Sequence, residues 1–273
     1  MQATVTKEFD SISAIARYCD TTEQHRLCAR FSTDHSSNAD WDLRTNFDDA
    51  LKMASEGGLW EQGAKDLMKS HIEMAAMKDG RVSSDDYSVV GHTLDIGAYL
   101  ANQPDCWIGE GEDESVSNPI ITIGVQCGRS GGCTSGPIMN RGAAILSVID
   151  SLESQNHRVE LSALWCNQGS GATTNFRTVV KAAHDSWSPA AVAFALCHPA
   201  FNRRLMFNVA ETFGELNEFT SNGYGVGLHD CLEDEFDLFI PWQSGDGPFR
   251  TAAKALATVQ SDANNALSNK RGE

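Results

Sequence analysis

The stretch NPIITIGVQCGRSGGCTSGPIMNRGAAILSVIDSLESQNHRVELSALWC, residues 118–166, decides the fold. It begins with a continuous β-branched run at 120–126, which is typical of a strand covered on both faces. A loop rich in Gly and Ser follows, then a helix that begins near Asn140 and an alternating strand at 158–165. Four apolar residues fall on one side of the predicted helix: Ile145, Val148, Ile149 and Leu152. This strand–helix–strand pattern predicts an α/β protein.

Strand–helix alternation continues towards the end of the chain. The apolar segment AAVAFALC, residues 190–197, predicts another buried strand, and FDLFIPW, residues 236–242, predicts a fourth. Between the second and third strands, TTNFRTVVKAAH, residues 173–184, predicts a short helix that Thr174 caps. Strands that alternate with helices favour a parallel sheet with helices on both faces, so we expect a three-layer α/β fold. Right-handed crossovers then place the carboxyl ends of the strands at one edge.

The region before this sheet has a different composition. Residues 1–108 are predicted to be mainly helical, and Asn46 is a suitable N-cap for a helix over 46–58 that a Gly-Gly pair ends. The segment GEGEDESVSNP, residues 109–119, is acidic and almost without apolar residues, as expected of a linker. The sequence therefore predicts a mainly helical N-terminal region, this acidic linker and an α/β domain at 120–273.

Composition and charge exclude several classes of protein. The 273 residues carry a formal net charge of −16, which argues against binding to DNA or RNA because such binding needs clustered Lys and Arg. No stretch resembles a signal peptide or approaches the roughly 20 apolar residues that cross a bilayer. We therefore expect a cytoplasmic protein with no membrane partner. Its eight cysteines are expected to be reduced in that compartment, and their spacings match neither a C-x-x-C pair nor a zinc site.

The residues at the carboxyl edge are the candidates for binding, because ligands of open α/β sheets lie beyond the strand ends. The loop GRSGGCTSG, residues 128–136, contains no Lys and matches neither nucleotide-binding fingerprint. Cys127 or Cys166 paired with His198 is one alternative, because a thiolate beside a His is a nucleophile. The candidate binding residues are Gln126, Cys127, Ser130, Asn167, Thr174 and His198.

The layout of strand, small-residue loop and helix, followed by loops that carry Thr and an acid, resembles the von Willebrand factor A domain. In that family Asp-x-Ser-x-Ser, a Thr and a later Asp hold a hard ion such as Mg²⁺. Here Gln126 to Ser130 keeps only the last Ser, and Thr173 or Thr174 matches the Thr. Cys197-His198 stands in place of the acid. The resemblance implies a degenerate site with no metal and no cofactor.

Further motifs resemble an uncharacterised family of tailed-bacteriophage proteins. They are WDLRTNFDDALKMASEGGLWEQGAKDL (41–67), VVGHTLDIGAYLANQPDCWI (89–108), RGAAILSVIDSLESQNHRVEL (141–161) and FALCHPAFNRRLMFNVAE (194–211). The second is similar to Gly-x-x-x-Asp-Val-x-x-Tyr-Leu-x-Gly-x-Pro-x-Cys-Met, although Asn102 and Trp107 replace the Gly and the Met. The resemblance implies a phage-encoded protein of the host cytoplasm and assigns no catalytic residues.

Three functions remain open. The leading expectation is a non-enzymatic module that binds a protein, with an AAA-type ATPase as one partner by analogy with von Willebrand A-like domains. The second is an enzyme that uses the Cys/His groups at the strand ends. The third is an acidic inhibitor of a host nucleic-acid or defence enzyme, which needs carboxylates such as those at 110–114 and 233–237 on one face. The oligomeric state is left open.

Overall fold

The computed structural model describes the following residues: 3–77, 87–88, 93–94, 96, 99, 106–108, 120–128, 133–154, 157–228, 232–241 and 245–270. The strands are β1 Ala3–Phe9, β2 Tyr87–Ser88, β3 Thr93–Leu94, β4 Trp107–Ile108, β5 Ile120–Gln126, β6 Arg158–Gly169, β7 Ala172–Lys181, β8 Val226–Gly227 and β9 Leu238–Ile240. The α-helices are α1 Ile12–Thr21, α2 Phe31–Asp34, α3 Ala39–Asp42, α4 Phe47–Ser55, α5 Glu61–Met77, α6 Ser135–Glu153, α7 Pro189–Cys197, α8 Phe207–Glu211, α9 Asn217–Ser221 and α10 Ala252–Lys270. A π-helix, Phe201–Met206, leads directly into α8.

A six-stranded sheet organises the molecule. Its order is β1-β7-β6-β5-β9, and β8 pairs with the end of β6. β5 is parallel to both β6 and β9, and β1 is parallel to β7, whereas β7 and β8 run antiparallel to β6. A small antiparallel sheet has the order β2-β4-β3. The expected α/β class, with a mostly parallel, Rossmann-like sheet, is therefore confirmed.

The helix predicted at 173–184 is wrong, because this segment forms β7. Ser170 and Gly171 both have positive φ and make a two-residue turn, which joins β6 to β7 as a hairpin. Along β7 the side chains alternate, so that Thr174, Phe176 and Thr178 are buried. Thr174 caps no helix, and its hydroxyl accepts a hydrogen bond from the backbone of Asn167 across the hairpin. The β-branched alternation is the signal that outweighs the single capping residue.

The buried strand predicted at 190–197 is also wrong, because this segment forms α7. Every residue of α7 is buried, so the run is apolar on all sides and has no periodicity. Ser188 accepts a hydrogen bond from the backbone of Ala191, and Pro189 occupies the first turn. These residues are helix-start signals. The predicted row of four parallel strands therefore reduces to three neighbours: β6, β5 and β9.

The main core lies between one face of the sheet and the helices. Ile123, Leu161 and Phe176 from the sheet share this core with apolar residues of α1, α4, α5, α6, α7, α8 and α10. The other face carries a smaller cluster, in which Leu164 and Cys166 pack with Phe236. Leu228, Leu232 and Phe239 pack against this smaller cluster.

The N-terminal region joins the same sheet and core. Its first strand, β1, pairs with β7 over seven residues, and Ile12, Ala50 and Leu67 belong to the main core. Asn46 accepts a hydrogen bond from the backbone of Asp49, which confirms the predicted cap of α4. The predicted linker at 109–119 lies outside the described residues.

Candidate functional site

A buried arginine occupies the carboxyl edge where the fold predicts a ligand. Arg141, in the second turn of α6, donates hydrogen bonds to the carbonyl of Gln126 at 3.1 Å and to that of Pro241 at 2.8 Å. These carbonyls end the neighbouring strands β5 and β9. The guanidinium also lies 5.8 Å from the ring centre of Phe249. Arg141 therefore occupies the space between the ends of β5 and β9, where its hydrogen bonds join the two strands.

The side chain of Gln126 is also used inside the fold. Its amide nitrogen donates to the carbonyl of Cys166 at 2.5 Å, and its amide oxygen accepts from the backbone of Gly128 at 3.1 Å. Gln126 is fully buried, and Cys127 is almost so. Ser130, the remaining residue of the degenerate Asp-x-Ser-x-Ser motif, lies outside the described residues.

Asn167 and Thr174 are brought together as partners in the β6–β7 hairpin. The Asn167 amide also donates to the carbonyl of Tyr224 at 3.1 Å, while its buried side-chain oxygen has no hydrogen-bond partner among the residues that the structure describes. Thr174 therefore lies at the carboxyl edge of the sheet, as predicted, but it lies near the start of β7, which runs antiparallel to β6. Both side chains are buried, so they contribute to the cohesion of the hairpin.

His198 lies among helices and not at a strand end. It ends α7, its ring nitrogen Nδ1 accepts a hydrogen bond from the backbone of Ala200 at 3.0 Å, and its ring meets Trp60 edge-on at 4.5 Å. Cys166 belongs to the small cluster on the second face of the sheet, whereas Cys127 belongs to the main core. The two thiols proposed as partners of His198 therefore lie in different hydrophobic clusters.

The acid that follows a later parallel strand is Asp246, and not a residue near 197–198. Asp246 follows β9, and its carboxylate accepts hydrogen bonds from the backbone and the hydroxyl of Thr134 at 2.9 and 3.0 Å. Thr134 precedes the first residue of α6, so the carboxylate satisfies a donor at a helix N-terminus, where negative charge is favoured. Within the described ranges, no group of three His, Cys, Asp or Glu residues is arranged to hold a metal ion.

Two serine motifs need separate consideration. Residues 128–132 read Gly-Arg-Ser-Gly-Gly, which matches the G-x-S-x-G of hydrolases, where the Ser occupies a sharp strand-to-helix turn. Here β5 ends at Gln126 and α6 begins only at Ser135, so the connection is longer than that turn.

The second serine motif is a Ser-His-Asp set. His71 contacts Ser147 at 2.8 Å and Asp150 at 2.6 Å, but Ser147 is buried inside α6. This second set joins α5 to α6 and does not present its hydroxyl to solvent.

A second buried arginine holds the segment 24–46, which we call the clamped segment. Arg204, in the π-helix, pairs with Asp42 at 2.5 Å, and both side chains are buried. The same guanidinium donates to the carbonyls of Ser32, Thr45 and His35. Leu43, next to Asp42, has a positive φ of 57°, which shows how tightly the chain turns there. One cation thus organises about a dozen residues of irregular chain.

A buried carboxyl group holds the other end of the clamped segment. Glu211, at the end of α8, accepts hydrogen bonds from the backbone and hydroxyl of Ser32, from the amide of Gln24 and from the hydroxyl of Tyr224. Burial raises the pKa of Glu211, and the hydrogen bonds from Ser32, Tyr224 and Gln24 partly oppose this rise. Burial, and then the neighbouring Glu211, also raise the pKa of Tyr224. Burial raises the pKa of the Cys19 thiol to about 12.

The clamped segment displays apolar side chains to solvent. Leu27, Phe31 and Leu43 remain 58%, 46% and 42% exposed, and we call these three residues the displayed surface. The ring of Phe31 stacks on His35 at 5.3 Å and meets Tyr224 at 6.0 Å. His35 in turn stacks on Trp41 at 4.2 Å, and the guanidinium of Arg204 lies 4.7 Å from the Trp41 ring. The exposed side chains therefore rest on an ordered aromatic support.

Sequence reasoning missed the residues that hold this segment. Arg204, Asn208 and Glu211 follow one another at spacings of four and three, so they form a polar stripe on the helix that also buries Leu205 and Val209. Polar residues at helical spacing beside buried apolar residues were the signal in the sequence that could have indicated buried polar contacts. Arg141 gave no comparable signal, because an Arg is usually exposed.

The fold and these contacts define a class: an α/β protein with a mostly parallel sheet, whose carboxyl edge is filled from within and whose irregular clamped segment is exposed. No described helix is long and apolar enough to cross a membrane. The sequence model of the domain of unknown function DUF7192 matches residues 2–253, so the chain belongs to this uncharacterised family. Neither the search of curated proteins nor the search of solved structures found a match.

Proposed function

We propose that this protein is a non-enzymatic module that binds another protein through the displayed surface. The observation that carries the proposal is that Leu27, Phe31 and Leu43 stand exposed on a segment whose backbone is fastened by a buried ion pair and a buried carboxyl group. Large apolar side chains that a protein holds exposed on one ordered segment are candidates for an interaction site. Aromatic and aliphatic anchors of this kind carry most of the binding energy in protein interfaces.

The fastening explains why an irregular segment suits this role. A flexible loop loses conformational entropy when a partner orders it, and that loss weakens binding. Arg204 and Glu211 hold the clamped segment in one conformation before any partner arrives. The proposal assigns no metal and no cofactor to this surface.

The finer expectations from the sequence belong to this proposal. The succession of β5, a small-residue loop, α6 and the parallel β6 supports a von Willebrand A-like interpretation. The sequence motifs support an origin in a tailed bacteriophage and action in the host cytoplasm. By analogy with von Willebrand A-like domains, an AAA-type ATPase is the first partner to test.

Capture of partners with matched variants tests the proposal. The wild type, Leu27→Ser/Phe31→Ser and the control Leu59→Ser are used as baits in lysate of the host; Leu59 is 44% exposed but lies outside the clamped segment. We expect a protein that the wild type and the control capture and the double variant loses. Calorimetry with that purified protein should show binding weakened about tenfold or more in the double variant. Equal direct binding by all three baits contradicts the displayed surface, and the absence of any direct binder contradicts the module.

The enzyme alternative has one observation in its favour, the G-x-S-x-G match at 128–132. A fluorophosphonate probe for activated serine and a maleimide for activated thiols test it directly. Rapid labelling of Ser130, or of Cys127 or Cys166 in a manner that requires His198, supports an enzyme. Labelling no faster than that of the unfolded chain removes this alternative.

A further inference from the structure

The two edges of the large sheet differ in how they are protected. β9 has three residues and is followed by Pro241, which cannot donate a backbone hydrogen bond. β1 has seven residues, forms an unbroken parallel ladder with β7 and contains no Pro. Short edge strands and Pro are the usual means of preventing edge pairing. One edge therefore has this protection and the other lacks it.

The single lysine of β1 does not shield its edge either. Lys7 is half-buried, and its ammonium lies 4.6 Å from the ring centre of Tyr18 in α1. A lysine that projects from an edge strand opposes pairing through its charge, but here the charge is directed onto an aromatic ring. Among the residues that the structure describes, no strand pairs with the outer side of β1. The outer row of backbone donors and acceptors is thus available to an extended chain.

The sequence of β1 is complementary to itself in an antiparallel register. In a pair of β1 strands centred on Val5, Val5 faces Val5 of the second copy and Thr4 faces its Thr6, while Ala3 faces Lys7. Each pair shares one face of the sheet, because both members have the same parity. Val–Val and Thr–Thr pairs across strands are favourable, and this register brings no like charges together.

We propose that two copies of the chain pair through β1 in this Val5-centred register, so that their sheets join into one continuous sheet across a twofold axis. Pairing satisfies the outer backbone groups of Thr4 and Thr6, since Ala3 directs its N–H inward to Gly171, and it packs the partly exposed Val5 against its counterpart. The interface shares no residue with the displayed surface, so it does not depend on the proposed function.

Two double variants test the register. Thr4→Lys/Thr6→Lys places Lys opposite Lys twice, whereas Thr4→Lys/Thr6→Glu places Lys opposite Glu twice. Both side chains of the wild type are exposed, so we expect both variants to fold, with circular dichroism and thermal unfolding as the check. In sedimentation equilibrium at low salt, we expect a dimeric wild type and a dimeric Lys/Glu variant. Association of the Lys/Lys variant should be about tenfold or more weaker.

The remaining outcomes contradict the proposal. A wild type that stays monomeric up to high concentration excludes the interface, and equal weakening of both variants excludes the Val5-centred register. Leu27→Ser/Phe31→Ser should keep the wild-type association, so a failure of the dimer and a failure of partner binding can be told apart.

Discussion

Two buried arginines in this molecule both donate hydrogen bonds to backbone carbonyls, but they have different roles. Arg141 lies at the carboxyl edge of the sheet and binds carbonyls that end β5 and β9, so it closes the place where a ligand of this fold is expected. Arg204 lies in the π-helix, pairs with Asp42 and binds carbonyls of a segment that has no regular structure for most of its length. The first closes a potential site, and the second presents a surface.

The difference shows that the chain itself can fill the position where ligands of this fold usually bind. At the carboxyl edge, Gln126 and Arg141 form hydrogen bonds with backbone groups of the protein itself. At the clamped segment, the polar groups point inwards and leave Leu27 and Phe31 exposed. The following predictions test this contrast, and the largest expected effect comes first.

Removal of Arg204 should be strongly destabilising. Arg204→Met leaves the Asp42 carboxylate buried without its cation, which costs about 3–5 kcal/mol of the free energy of unfolding. Urea denaturation measures the loss. The double variant Arg204→Met/Asp42→Asn should be more stable than Arg204→Met, because it also removes the uncompensated charge. A double variant no more stable than the single one would contradict a direct charge pair.

Removal of Arg141 should cost less and should leave binding intact. Arg141→Met leaves the buried carbonyl of Gln126 and the partly buried carbonyl of Pro241 without this donor, with an expected loss of about 1–3 kcal/mol in the free energy of unfolding. Urea denaturation measures this loss, and partner capture should equal that of the wild type. Capture lost in folded Arg141→Met would place the binding surface at the carboxyl edge instead.

Glu211 should make stability depend on pH. Its folded-state pKa is raised above the ordinary value of 4.5, so the native state holds this proton more tightly than the unfolded state. Its contribution is therefore fully present below pH 4.5 and is lost as pH rises through the folded-state pKa. Urea denaturation between pH 4.5 and 8 should show the wild type losing stability relative to Glu211→Gln. A difference that does not change with pH would show that Glu211 is ionised throughout.

The displayed surface should contribute less to stability than either arginine. Leu27→Ser/Phe31→Ser changes side chains that are about half exposed but removes the ring contacts of Phe31 with His35 and Tyr224, so we expect the free energy of unfolding to fall by about 0.5–1 kcal/mol. The same denaturation experiment tests this. A loss comparable to that of Arg141→Met would mean that these residues serve packing and not binding.

Prediction from sequence succeeded where a local pattern has one explanation. β5 was predicted over its full range because a β-branched run of seven residues fits a buried strand and little else. α4 was predicted from Asn46 and the Gly-Gly pair, and both act as expected. Prediction failed at 190–197, since a run that is apolar on every side has no period to separate helix from strand.

The candidate site was less predictable than the fold. Asn167 and Thr174 do meet, but through a hairpin that was not expected. His198 was placed at a strand end only because the helix before it was taken for a strand. Arg204 and Asp42 are 162 residues apart, and Ser32 and Glu211 are 179 apart, so neither contact has a local signal.

By itself the sequence determined the α/β class, the strands β5, β6 and β9, and the helix between β5 and β6, because hydrophobic periodicity and end residues act over a few neighbours. Only the tertiary structure decided that β1 joins the same sheet, that the carboxyl edge is filled by Arg141, and that residues 24–46 are clamped onto the π-helix and α8. The reason is that a charged side chain is exposed unless the fold supplies a buried partner, and here the partners come from distant parts of the chain.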